Sequence, residues 1–106
     1  MMLGKLQVPP TVKKGEPFEI RVLVQHPMET GYRRDLNGMS IPMHIVDKLV
    51  CRVGGREIFS AELGTGIAAN PYLAFYATAN ESGEVEVEWS DNRGDTGKVS
   101  ARFTVA

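Results

Sequence analysis

Both histidines of this chain, three of its five methionines and an adjacent arginine pair fall in one stretch, His26 to Ile45, which reads HPMETGYRRDLNGMSIPMHI. Imidazole and thioether are donors that a copper ion selects, so His26, Met28, Met39, Met43 and His44 form a candidate copper site. Their spacing is not that of a compact ligand set, and no cysteine or acidic ligand accompanies them. A structural histidine with scattered methionines is the reading favoured, with methionine as a pliable apolar contact for a protein partner. Arg33 and Arg34, followed by Asp35 and the Asn37-Gly38 turn, could grip an acidic partner or a small oxyanion. A solvated, self-paired loop explains them equally well, and the residues leave both readings open.

Other reactive groups give weaker signals. Cys51 is the single cysteine, so no internal disulfide can form. It shares strand parity with Leu49 and Val53, which predicts a thiol packed in the core with a raised pKa and little nucleophilicity. No serine, histidine and carboxylate group suggests a triad, and Glu84, Glu86 and Glu88 read as a solvated strand face. Arg93-Gly94-Asp95 reads as an ordinary hairpin turn. The chain is therefore expected not to be an enzyme, and neither a cofactor nor a resident metal is expected.

The elements that must position these residues repeat every second residue. Phe18, Ile20, Val22 and Val24 alternate with Glu19, Arg21 and Leu23, and Leu49, Cys51 and Val53 alternate with Lys48, Val50 and Arg52. Gly54-Gly55 is a hairpin signal, since glycine supplies the positive φ of primed turns. Phe59, Ala61 and Leu63 follow, then a turn at Gly64-Thr65-Gly66, with room for a helical turn between Ala61 and Asn70. Tyr72 to Thr78 is apolar on both faces, as for a strand covered on both sides. Val85, Val87 and Trp89 alternate with glutamates, and Val99, Ala101, Phe103 and Val105 close the set after the turn at Asp91 to Asp95. A short strand near Leu6 to Val8 precedes them. The pattern predicts an all-β fold, an immunoglobulin-like or fibronectin-like antiparallel β-sandwich of about seven strands, with Trp89 in the core and no disulfide.

Composition narrows the function. At 106 residues the chain is read as a single domain, residues 1–106. Twelve basic against thirteen acidic residues give a net charge of −1, which argues against nucleic-acid binding by general phosphate neutralisation. No apolar run approaches the ~20 residues that span a bilayer, so no membrane association is expected. Met1 to Lys5 lacks the charged and apolar regions of a signal peptide. Composition alone therefore predicts a cytoplasmic protein, or one exported indirectly.

The string His26-Pro27-Met28-Glu29-Thr30-Gly31, with Arg34-Asp35, Asn37-Gly38 and Ile41-Pro42, resembles the SoxZ family of sulfur-oxidation proteins. The resemblance continues through Leu49-Val50-Cys51, Gly55, Ile58-Phe59-Ser60-Ala61 and Ala68-Ala69-Asn70-Pro71-Tyr72. It runs on through Glu81-Ser82-Gly83-Glu84 to Phe103-Thr104-Val105-Ala106, and is poorest before Pro9 and at Met39-Ser40 and Met43-His44. It implies one half of the SoxYZ carrier of thiosulfate oxidation, whose SoxY half bears a cysteine in a Gly-Gly-Cys-Gly-Gly arm. This sequence shows no such arm, so the resemblance implies the non-catalytic scaffold that binds SoxY as a heterodimer and meets the other Sox enzymes transiently. It also implies a periplasmic location, reached by export with SoxY, and leaves open a homodimer when SoxY is absent. The expected partner-binding residues are His26, Met28, Arg33, Arg34 and Met43 on the long loop, with Leu23, Val50 and Tyr76 on strands apolar on both faces. The runner-up reading is a small periplasmic copper-binding sandwich.

Overall fold

In a computed structural model that describes residues 3–106, the chain folds as two packed sheets. Met1 and Met2, part of the segment weighed above as a leader, lie outside the described residues. The strands are β1 (Gly4–Gln7), β2 (Thr11–Val12), β3 (Phe18–Val24), β4 (Val46–Val53), β5 (Arg56–Glu62), β6 (Tyr72–Ala77), β7 (Gly83–Asp91) and β8 (Thr96–Val105). One sheet has the order β1-β3-β6 and the other β2-β8-β7-β4-β5. The expected all-β sandwich is thus observed, with eight strands. The extra strand is the two-residue β2, which pairs in parallel with the end of β8 and is too short to leave a periodic signal. No helix forms among the described residues, and the segment after β5 is a series of turns.

Alternation decides which side chains meet between the sheets. Phe18, Ile20, Val22 and Val24 of β3 face Leu49, Cys51, Val85, Val87, Trp89 and Phe103 of the larger sheet, all buried. Burying this apolar set is the main force holding the sheets together. Phe59 of β5 stacks on Phe75 of β6 with ring centroids 4.3 Å apart, closing one side of the sandwich. The Trp89 indole is accommodated by two glycines, Gly4 and Gly97. A Cβ at Gly97 would lie 2.5 Å from the indole, and one at Gly4 would clash with it as well. Gly54 and Gly55 have φ of 60° and 80°, which makes the β4–β5 connection the primed hairpin that their types predict.

The outer faces of the two sheets differ. On the larger sheet, Glu84, Glu86 and Glu88 lie among Arg102, Lys98 and Arg52, with nitrogen–oxygen separations of 3.4 to 3.9 Å. Val50 lies on this side, opposite Ser60 and Glu88 in the ladders, and is buried among its neighbours. On the smaller sheet, Leu23 pairs with Tyr72, Arg21 with Ala74 and Glu19 with Tyr76. Tyr72, Ala74 and Tyr76 are exposed there, the tyrosines at 59% and 68%. β6 is therefore not covered on both faces, as its composition suggested. Its second apolar row faces solvent in the isolated chain.

Candidate functional site

Between β3 and β4 the His26 to Ile45 stretch is not an open loop. It folds as a hairpin arm, because its ends are held in register by backbone hydrogen bonds. Glu29 and His44 exchange N–H···O bonds of 2.8 Å, Ile41 donates to Arg33 O at 2.9 Å, and Asp35 donates to Met39 O at 2.8 Å. At the tip, Asp35 Oδ1 accepts from the N–H groups of Asn37 and Met39, and Gly38 takes the left-handed φ of 79° that the turn requires. The molecule is elongated, with extents of 58 × 19 × 18 Å. Its radius of gyration is 16.1 Å, against about 13 Å for a compact domain of this length.

The base of the arm is clamped from two sides. Asn70, itself at φ 53°, accepts from His26 N–H through Oδ1 at 3.0 Å and donates its own N–H to His26 O at 2.8 Å. Asn92 accepts from Ile45 N–H at 2.7 Å through Oδ1, and its Nδ2 donates to Met43 O at 3.0 Å. Between these clamps lies Asp91, whose side chain is fully buried. Its Oδ1 accepts from the N–H groups of Arg93 and Asp95, both at 2.9 Å, which shapes the β7–β8 turn. Its Oδ2 lies 2.6 Å from His44 Nε2 and 3.5 Å from His26 Nε2. One carboxylate thus ties the turn to His44 of the arm, while His26 Nε2 lies buried beside it without a hydrogen-bond partner. Burial pushes the Asp91 carboxyl up, but the bonds from His44, Arg93 and Asp95 and the nearby His26 ring outweigh it and hold it below the ordinary aspartate value. His26 is lowered, first by burial and then by the neighbouring His44 ring.

His26, His44 and Asp91 bring ligand-type atoms within 4.8 Å of one another, so a cation site must be weighed. The hydrogen bonds do not fit one. His26 Nδ1 accepts the Met28 N–H at 3.0 Å, so the proton of the neutral ring sits on Nε2, the atom that a metal would need bare. The 2.6 Å between His44 and Asp91 is a hydrogen-bond distance, shorter than the roughly 3.3 Å between donors sharing a tetrahedral ion. Met28 does not supply sulfur either, since Sδ accepts from Val46 N–H at 3.2 Å. As arranged, His44 and Asp91 bond to each other, Met28 Sδ accepts a backbone N–H, and His26 Nε2 is buried without a partner. The cluster is a lock for the arm.

The residues expected to bind a partner separate into supports and displayed groups. His26 and Met28 are buried, as is Val50, which sits on the interior strand β4 between β7 and β5. In this conformation they present almost no surface. Met28 takes a left-handed φ of 50°, a conformation that is costly for this residue type and is held by its two hydrogen bonds. Arg33 is exposed and forms a two-point ion pair with Glu29, one contact of which is 3.0 Å. Arg34 donates to Gly38 O at 2.9 Å and Met43 is exposed. Tyr32, Leu36 and Met39 add exposed apolar groups to the arm. Leu23 and Tyr76 share the outer face of the smaller sheet with Tyr72, far from Val50 on the opposite face. Cys51 is fully buried, and burial pushes its thiol up to about 11.

Asp91, Asn92 and Asn70 went unrecognised as functional in the sequence. Asp91 and Asn92 lie in a segment that reads only as a turn, and their partners stand 47 positions away. No periodicity reports such a contact.

Fold and site define a class: an all-β sandwich carrying a long hairpin arm braced at its base by a buried histidine–aspartate cluster. Solved structures share the fold. A superoxide reductase (neelaredoxin) from Ignicoccus hospitalis superposes with a TM-score of 0.73 at 21% identity, over 97% of this chain and 80% of that one. A variant of that protein gives a TM-score of 0.76 at 20% identity, with 97% and 79% covered. A superoxide reductase homologue from Thermotoga maritima gives 0.71 at 20% identity, with 97% and 85% covered. At such identities the likeness is one of fold alone. No curated protein matches the chain. The family described as "Sulphur oxidation protein SoxZ" matches over residues 6–102, and the chain belongs to that family.

Proposed function

We propose that this chain is the non-catalytic subunit of a SoxYZ carrier in thiosulfate oxidation. It binds SoxY and helps present that protein's cysteine-bearing arm to the other Sox enzymes. Family membership places the chain in the sulfur-oxidation system. The observation that carries the finer reading is the contrast between the two outer faces. One is laced with ion pairs, whereas the other displays Leu23, Tyr72, Ala74 and Tyr76 beside Lys5, Gln7 and a Glu19–Arg21 pair. A stable interface needs an apolar centre and a polar rim, on the order of 1,600 Å² in total. The smaller sheet offers such a centre. A rigid sandwich holding one end of the carrier raises the effective concentration of the flexible thiol arm at partner active sites. The hairpin arm, with Tyr32, Arg34, Leu36 and Met43 displayed, meets those enzymes transiently. Export together with SoxY would put the complex in the periplasm. Co-purification with SoxY tests the reading: Leu23→Asp and Tyr76→Asp abolish the complex. Undiminished complex formation by both variants would remove the interface from this face.

A further inference from the structure

A sheet edge offers unpaired N–H and C=O groups to any passing strand, and proteins blunt such edges with short strands, charges or bulges. This sandwich has four edge strands, β1, β6, β2 and β5. Three are blunted. β2 has two residues and β1 has four including Lys5. β5 carries Arg56, Glu57 and Glu62, and a bulge interrupts its ladder with β4. β6 is not blunted. Tyr72-Leu73-Ala74-Phe75-Tyr76-Ala77 contains no charge, proline or glycine, and it pairs in unbroken register with β3 along one side only. Among the described residues, no backbone bond links the other side of β6 to another segment. Uncharged aromatic and aliphatic six-residue segments of this kind readily pair with their own kind.

We propose that β6 pairs antiparallel with β6 of a second copy, joining the two small sheets into one six-stranded sheet across a twofold axis at Ala74. The strand is self-complementary about that residue. Tyr72 of one copy falls opposite Tyr76 of the other on the outer face, Leu73 falls opposite Phe75 on the core side, and Ala74 meets Ala74. Cross-strand aromatic and aliphatic pairs of this type are favourable, and no like charges oppose one another. The association closes at two copies, because the joined sheet ends on the blunted β1 at both sides. This deepens the open question of self-association, and it concerns the hydrogen-bonding edge of β6. The SoxY reading concerns the sheet's outer face, so each can fail without the other.

The test is the mass of the purified chain in solution, by sedimentation equilibrium over a concentration series. Ala74 is exposed, so Ala74→Lys and Ala74→Glu place their charges in solvent in the monomer and directly opposite a like charge in the dimer. The expected results are a wild-type mass rising from monomer to dimer, a monomer for each variant alone, and recovery of the dimer when the two variants are mixed in equal amounts. A monomeric wild type at every concentration would overturn the proposal. So would a dimer that survives both substitutions, or a mixture that stays monomeric. A chain that is monomeric alone but takes up a strand from SoxY along this edge would also overturn it in favour of that partner.

Discussion

Asp91 holds a turn with one carboxylate oxygen and an arm with the other, and both tasks depend on its charge. Removing it in Asp91→Ala leaves His44 Nε2 and two backbone N–H groups without their acceptor. We expect a loss of about 3 kcal/mol in denaturant unfolding, the range for breaking a buried charged network. The pH dependence has a definite sign. The folded Asp91 value lies below that of the unfolded chain, so its contribution is complete above the unfolded value and is lost as pH falls through the folded one. His26 acts in the same direction. Its folded value is also lowered, so the unfolded chain takes up that proton first, and stability declines as pH drops below about 6.5. Thermal melting between neutral and mildly acidic pH should therefore show a falling midpoint that His26→Gln flattens; an unchanged slope would contradict the buried neutral ring. Cys51 should resist aromatic disulfide reagents in the folded chain and react on unfolding, since its thiol is buried with a pKa near 11. The burial of Cys51 was legible from strand parity. The roles of His26 and Met28 were not, because type and spacing mark a group as capable of contact without saying which way the backbone turns it.

At the scale of elements, the strands were legible because alternation over five or more residues reports a sheet face directly. β3, β4, β7 and β8 match their sequence pattern for that reason. The arm was visible only as an overlong connection. Its ladder rests on backbone bonds, which carry no side-chain period, and its clamps come from Asn70 and Asn92 on distant turns. β6 shows the converse. Apolar residues on both faces announced two contacts, but one contact is supplied by the core and the other by no segment among the described residues. Two substitutions separate packing from surface charge. Gly97→Ala drives a methyl group into the Trp89 indole and should cost about 1–3 kcal/mol, the range for overpacking a core. Glu86→Gln loosens two exposed ion pairs and should change stability by less than about 1 kcal/mol. Chemical denaturation of both variants checks the contrast, and equal losses would contradict it.

For the molecule as a whole, shape and surface chemistry divide the functions. One face of the sandwich is charged and self-satisfied. The other mixes Leu23, Tyr72, Ala74 and Tyr76 with Lys5, Glu19 and Arg21, and the arm displays its own exposed apolar groups. Family membership in SoxZ places this division in the sulfur-oxidation system, and the proposed role is that of a carrier subunit that holds SoxY. The central claim is that the smaller sheet is the surface that holds SoxY. Hydrogen–deuterium exchange of the chain with and without SoxY tests it most directly, since amide protection reports contact strand by strand. The account predicts added protection in β1, β3 and β6, with β5 and the glutamate-bearing β7 unchanged. Protection confined to β5 and β7, or none in the presence of a SoxY shown to be folded, would contradict it.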